Sequence, residues 1–340
     1  MRLERLDPTD ADWQRMDALP DRVVFQARPW IEFVQRSQGA EPVVAALTDD
    51  GSTCGYFTGL LVRRYGFTIL GSPMPGWTSA FMGFNLEPGV SRRAAAEALI
   101  PFAFDSLGCS HLEFRDYHLG LHEVDEIGFE HTPWTGLEVD LTPPEDEIFA
   151  AMQGRCRTAI RKAAREGVVI EEDDGVDFAD VFYPQLQDVF GKQGLVPPYG
   201  VDRVRELIRC VHPSGRLLLL RARAPDGECI ATGIFPAMNR IMHFLAGASW
   251  REHQRLNPNE PLVWYAMRYW KERGVQTCDL GYLLDYKRKY GGSERQIPFL
   301  RKSRSPTVAA MRNLAESAFA TRQRLRGRWR SGLDRLRRRA

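Results

Sequence analysis

An α/β fold with mixed sheets, present as two tandem copies of one order of elements and followed by a basic helix, is what the sequence predicts. Three observations carry it. The chain is 340 residues long, and a typical domain spans about 150, so two domains are expected. The order strand, helices, three-strand meander, helix, strand, short helix, strand can be followed once through residues 1–141 and again through 142–303. Beyond that point the composition changes. Eleven arginines stand against Glu316 and Asp334, so residues 304–340 carry +9, and the formal total of +2 leaves −7 on residues 1–303.

Apolar periodicity and turn residues place the first copy's elements. Residues 2–6 form a short strand, 10–19 a helix, and 29–38 a second helix that opens on Pro29 and stops at Gly39, the residue types those helix ends favour. Strands at 42–48, 54–64 and 67–70 form a meander whose first turn is Asp50-Gly51, a pair suited to the left-handed backbone of a tight hairpin. A Gly/Pro/Ser/Trp-rich loop covers 71–83, and an alanine-rich helix at 91–106 ends before Gly108. A strand at 110–115, a short helix near 121–127 and a strand over 129–141 complete the copy.

The second copy opens at Thr142-Pro143 with a helix that continues through 155–166 to Gly167, its first-turn acids placed where a helix N-terminus favours negative charge. A strand at 168–171 follows, then helices at 178–190 and 201–211 around a Pro/Gly loop at 191–200. Strands at 216–224, 229–238 and 241–248 form a second meander, with Asp226-Gly227 as its first turn. A helix at 260–273 stops at Gly274, a strand covers 275–280, a basic loop or short helix covers 282–292, and the last strand covers 296–302. Ser305-Pro306 then opens a helix in which Val308, Met311, Leu325 and Trp329 recur near helical spacing between arginines. Its start is expected to pack on the first domain and its end to be basic and exposed.

Composition narrows the function classes. At 44% hydrophobic and 26% charged residues the chain has the make-up of a folded globular protein rather than a disordered one. The six cysteines stand singly, with no metal-ligand spacing and no CxxC pair, so a reducing compartment and no metal are expected. The N-terminus lacks the apolar run of a signal sequence, and no stretch reaches about 18 apolar residues. A soluble, cytoplasmic monomer is expected, with peripheral contact at the inner face of an anionic membrane through the basic tail.

Three stretches carry a family resemblance: Gln153-Gly-Arg-Cys-Arg-Thr-Ala-Ile-Arg-Lys-Ala-Ala-Arg-Glu-Gly-Val168, Gly274-Val-Gln-Thr-Cys-Asp-Leu-Gly281 and Asp285-Tyr-Lys-Arg-Lys-Tyr-Gly-Gly292. With the order of elements, which matches the GNAT acetyltransferase fold twice over, they make the chain resemble the Fem family. These are tandem-GNAT transferases that add amino acids to peptidoglycan precursors, and a wider branch accompanies polysaccharide synthesis. The resemblance runs over nearly all of residues 12–302. It implies two GNAT-like domains, at 1–141 and 142–303, and an acyl or aminoacyl group transferred to an amine of a cell-envelope or polysaccharide precursor, lipid-linked or small. No cofactor is held tightly. The donor is a co-substrate, either aminoacyl-tRNA or acyl-CoA.

Site residues follow from both sources. On a helix, Arg157, Arg161 and Arg165 lie four apart with Arg155 and Lys162 beside them, and guanidinium forks suit phosphate oxygens. The same cluster also reads as a solvated face paired with the acidic run 171–174. The resemblance places Tyr286 and Lys287 beside the acyl donor, where an ammonium can stabilise an oxyanion and a ring can close the pocket; Lys289 adds to the phosphate-binding set. Deprotonation of the acceptor amine is expected to be substrate-assisted or water-mediated, with Asp279, at the end of its strand, and Tyr282 as the residues that could serve as base. The resemblance also puts Ser72 and Trp77 at the acceptor cleft. The loop 192–199 either gates that cleft or merely connects two helices.

One departure bears on the donor. A CoA-using GNAT carries a Gln/Arg-x-x-Gly-x-Gly/Ala run whose amides cradle the pyrophosphate at a helix start, whereas this position reads Gln254-Arg-Leu-Asn-Pro-Asn-Glu260. Asn257 offers either a side-chain amide to a donor or a helix cap. Besides the Fem-type reading, an acetyl-CoA-dependent N-acetyltransferase and a non-enzymatic membrane- or RNA-binding adaptor remain open.

Overall fold

The computed structural model describes residues 1–64, 66–124, 127–314 and 317. In the first half, β1 (Arg2–Leu6), β2 (Glu41–Asp49), β3 (Ser52–Arg64) and β4 (Phe67–Ser72) lie side by side, each antiparallel to the next. Asp50 and Gly51 both take positive φ, 45° and 82°, so the hairpin closes with the left-handed turn that their side chains permit. Two helices, α1 (Trp13–Asp17) and α2 (Arg28–Gln38), precede the meander, and Gly39 ends the second at φ 68°. The loop expected over 71–83 is shorter than that. Residues 83–86 return to the sheet as β5 (Gly83–Leu86), which pairs with β3 at 55–58. Then come α3 (Arg92–Pro101), continued by a π-turn over 102–106, β6 (His111–Phe114) parallel to β4, and β7 (Glu130–Asp140).

The helix expected over 142–166 is two helices, α4 (Glu145–Ala151) and α5 (Gly154–Arg165). Met152 and Gln153 between them are extended, with ψ of 148° and 144°. The break is held from outside the helices. Met152 is buried, the Gln153 amide donates to the Lys289 carbonyl at 2.9 Å, and the Arg157 guanidinium caps the carbonyls of Ala150 and Met152. Next in order are β8 (Val169–Asp173), α6 (Phe178–Lys192), α7 (Val201–Val211), β9 (Leu217–Arg223) and β10 (Cys229–Met238).

The single strand expected at 241–248 is also divided, into β11 (Ile241–His243) and β12 (Ala246–Ser249). The chain closes with α8 (Asn259–Lys271), β13 (Thr277–Tyr282), a 3-10 turn at 285–290 and β14 (Ser293–Ser303). A helix follows over 306–314. Arg304 donates to the Phe104 carbonyl at 2.7 Å and Arg312 pairs with Glu130 at 3.3 Å, while Met311 and Leu314 stay exposed. The rest of the expected basic helix, including 318–340, lies outside the described residues.

Fourteen strands share one sheet in the order β1-β2-β3-β4-β6-β14-β7-β13-β11-β10-β9-β8, with β5 on β3 and β12 on β10. The halves interlock at its centre. β14, last in the chain, lies between β6 and β7, and β7 in turn pairs with β13. Each half has its own apolar core, and a third core joins them, with Phe25, Trp30 and Phe33 packed in one cluster with Phe178, Phe182 and Leu207. Among the described residues no helix is long and apolar enough to cross a membrane.

Candidate functional site

The division between β11 and β12 sets the site. His243 is paired in parallel register with Asp279 of β13; the Phe244 amide then donates to the Asp279 carbonyl at 2.8 Å, and the next amide, Leu245, donates to Ile234 of β10 at 3.1 Å. From Ala246 onward the chain pairs with β10 alone. The sheet therefore forks, opening between β12 and β13.

A cavity of about 300 Å³ opens against that fork. Ile234, Leu245 and Ala246 line it from the strands, Arg203, Val204 and Leu207 from α7, Pro198 and Tyr199 from the loop before α7, and Phe33 with residues 76–80 from the first half. Trp77, an expected acceptor-site residue, stands on this wall, and so does the end of the loop expected to gate the cleft. The Tyr183 hydroxyl fastens that loop by donating to the Tyr199 carbonyl at 2.8 Å. Arg203 alone among the described lining residues is charged, and its guanidinium lies 5.5 Å from the centre of the Tyr199 ring. Burial lowers the Arg203 pKa and pushes the Tyr199 phenol up to about 12.

Beside the fork, at the end of β13, lies a buried polar pair. His243 Nδ1 and Asp279 Oδ2 are 2.8 Å apart, and the other Asp279 oxygen accepts the Gly281 amide at 2.7 Å. An ionised carboxylate only accepts hydrogen bonds, so this contact assigns the ring proton to Nδ1. Nε2 has no hydrogen-bond partner among the described residues, and the Phe25 ring is 4.6 Å away, centre to centre. Lys287 is also buried. Its ammonium donates to the carbonyls of Leu280 at 2.6 Å and Tyr282 at 3.1 Å and lies 5.8 Å from the Phe244 ring. Burial lowers its pKa, opposed by the nearby Asp279 charge.

The other expected site residues are dispersed. Ser72 is fully buried, and its hydroxyl donates to the Thr58 carbonyl at 2.5 Å and accepts the Gly83 amide at 2.7 Å. It thus joins β3, β4 and β5. Tyr286 is half exposed, 5.9 Å from the ammonium groups of both Lys287 and Lys289. Lys289 pairs with Glu260 at 2.6 Å, in the first turn of α8. Arg157 serves the α4–α5 corner, Arg161 lies 5.2 Å over the Phe149 ring, and Lys162 donates to the Arg255 carbonyl at 2.8 Å. Asn257 is left-handed at φ 52° and turns its amide toward the same Arg255 carbonyl at 3.3 Å. The structure thus brings Lys162 and Asn257 together at one turn, and sets Lys287 beside Asp279. Tyr282 is exposed beside Trp134, their ring centres 6.2 Å apart. As for metal ligands, Glu228, Glu252 and His253 place one ligand atom each within 4.8 Å of one another, and none of the three lines the cavity.

Two residues of the site escaped the sequence reading. His243 gave no linear signal, since its partner comes 36 residues later. Arg203 did leave one: it shares the i, i+4, i+8 stripe of α7 with Leu207 and Val211, a cation on an otherwise apolar face.

The acetyltransferase (GNAT) domain family matches residues 150–288. No curated protein matches the chain by sequence. Among solved structures, FemX superposes with a TM-score of 0.69 at 14% identity, covering 87% of this chain and 96% of that one. A tandem GNAT protein from the clavulanic acid biosynthesis pathway gives 0.52 at 13%, over 90% and 99% of the two chains. A domain described as the C-terminal part of a lysylphosphatidylglycerol synthetase from Agrobacterium fabrum gives 0.55 at 12%, over 89% and 96%. Likeness at such identity speaks of architecture. With the family match falling on the half that carries the forked strand, this chain has the Fem-like tandem GNAT fold.

Proposed function

We propose that this protein is an acyltransferase that moves an acyl or aminoacyl group from an activated carrier to an amine of a cell-envelope or polysaccharide precursor. The observation that supports this most directly is the cavity built by both halves against the forked strand. There an acceptor amine and a donor carbonyl can meet in an apolar cleft between the halves, where orientation and electrostatics both gain strength. The amine nitrogen attacks the donor carbonyl carbon, a C–N bond forms, and the bond from that carbon to the carrier's oxygen or sulfur breaks. The carrier leaves with the proton that the amine gives up.

Lys287 does not itself line the cavity but lies against Phe244 at the fork; two of its three N–H donors are held by the Leu280 and Tyr282 carbonyls, and the third is the one we assign to the developing oxyanion. Glu260, in the first turn of α8 and paired with Lys289, sets a carboxylate where the pyrophosphate of an acyl-CoA would need open amides. That counts against an acyl-CoA pyrophosphate held at this helix start, and aminoacyl-tRNA is the donor proposed.

The test is product detection by mass spectrometry with the full-length chain, a panel of amine acceptors, and either mixed aminoacyl-tRNA or acetyl-CoA. Transfer is expected from aminoacyl-tRNA, with Lys287→Ala reducing the rate by about 100-fold and Ala246→Leu, which fills the cavity, abolishing it. Absence of product from both donors, or wild-type turnover in the filled variant, would sink the proposal. Transfer from acetyl-CoA alone would instead identify an N-acetyltransferase.

A further inference from the structure

The cavity's chemistry narrows the acceptor. Its walls are aromatic and aliphatic, with Phe33, Trp77 and Tyr199 supplying rings, and Arg203 is the one charge among the described lining residues. That guanidinium rests on the Tyr199 ring and faces no carboxylate among the described residues. A partly desolvated cation without a counter-ion costs free energy, as the lowered Arg203 pKa reflects. On the wall from the first half, the Thr78 hydroxyl oxygen is shielded from solvent and also lacks a hydrogen-bond partner among the described residues. A ligand anion would satisfy the guanidinium through the paired N–H bonds that planar oxyanions accept.

We infer that the cavity binds an amine that also carries a single carboxylate and an apolar body, an apolar α-amino acid, with Arg203 holding the carboxylate. This rests on the acyl-transfer reading for the role of the amine, while the carboxylate stands on the cavity alone. Charge decides between anions. A phosphate monoester brings about −1.5 to −2 and would leave charge uncompensated beside one guanidinium, whereas a carboxylate brings one. Size agrees: about 300 Å³ is at the small end for small-molecule sites, with room for an amino acid. Any diphosphate on a larger acceptor would lie outside this cavity.

Calorimetric titration of the full-length chain with L-phenylalanine, L-phenylalaninamide and phenyl phosphate tests the assignment without any donor. The amino acid is expected to bind about tenfold more tightly than its amide. Arg203→Gln should erase that preference and Arg203→Lys should keep part of it, both with unchanged thermal melts. Equal binding of acid and amide, no binding of either, tighter binding of phenyl phosphate that depends on Arg203, or a preference surviving in Arg203→Gln would each overturn it. Failure of the two readings is separable. A carboxylate preference without transfer from any donor defeats only the acyl-transfer proposal, and equally fast transfer to amino acids and to their amides defeats only this one.

Discussion

Lys287 shows what a single position can hide. Three cations follow in a row at 287–289, and composition alone gives no way to rank them. The backbone ranks them, because the segment is a 3-10 turn with three residues per turn, and so Lys287 shares its buried face with Tyr290. Its ammonium satisfies two carbonyls at the end of β13, and hydrogen bonds to a charged group are worth about 1.5–3 kcal/mol each. Part of that is spent on desolvation, so Lys287→Ala should lower stability by about 2 kcal/mol in urea titrations. The pH dependence has a definite sign. Burial lowers the folded-state pKa below the ordinary 10.5, so between those two values the unfolded chain binds more protons and stability rises with pH. The wild type should gain stability across that alkaline window, and Lys287→Ala should lose that gain.

At the scale of elements, boundaries set by local sterics were legible and those set by neighbours were not. Glycines 39, 108, 167 and 274 all carry positive φ where helices were expected to stop, because only a residue without Cβ enters that region cheaply. The divided helix and divided strand were invisible. In each the apolar pattern runs on, and the break is made by a distant partner: Lys289 for α4–α5, Asp279 and Ile234 for β11–β12. Gly291 is the hinge of the first of these. It has φ 81°, and a Cβ there would lie 2.6 Å from the Ala151 carbonyl oxygen. Gly291→Ala should therefore cost about 2 kcal/mol or more, seen as a lowered melting temperature, and an unchanged melt would refute this account of the corner.

For the whole molecule, strand exchange couples the halves. β14 belongs to the second copy in sequence, yet it bridges β6 and β7, and the shared core around Phe25 and Phe178 lies across the junction. Neither half can lose its strands without exposing the other's edge. Thermal unfolding should then be one transition, with tryptophan fluorescence and far-UV circular dichroism coinciding; two separated transitions would show that the halves fold independently.

By itself, the sequence determined the repeated order of elements, the hairpins, the helix stops and the separation of a basic tail from an acidic body. All of these rest on interactions within about a dozen residues, or on summed charge. Only the tertiary structure decided that one strand forks, that Ser72 is a buried tie while Trp77 faces a cavity, and that His243 meets Asp279. Only it placed Arg203 in an apolar cleft with no carboxylate partner among the described residues. Each of those depends on which backbone partner a residue finds across the sheet or across the two halves, and a pattern of residue types along one chain carries no record of that pairing.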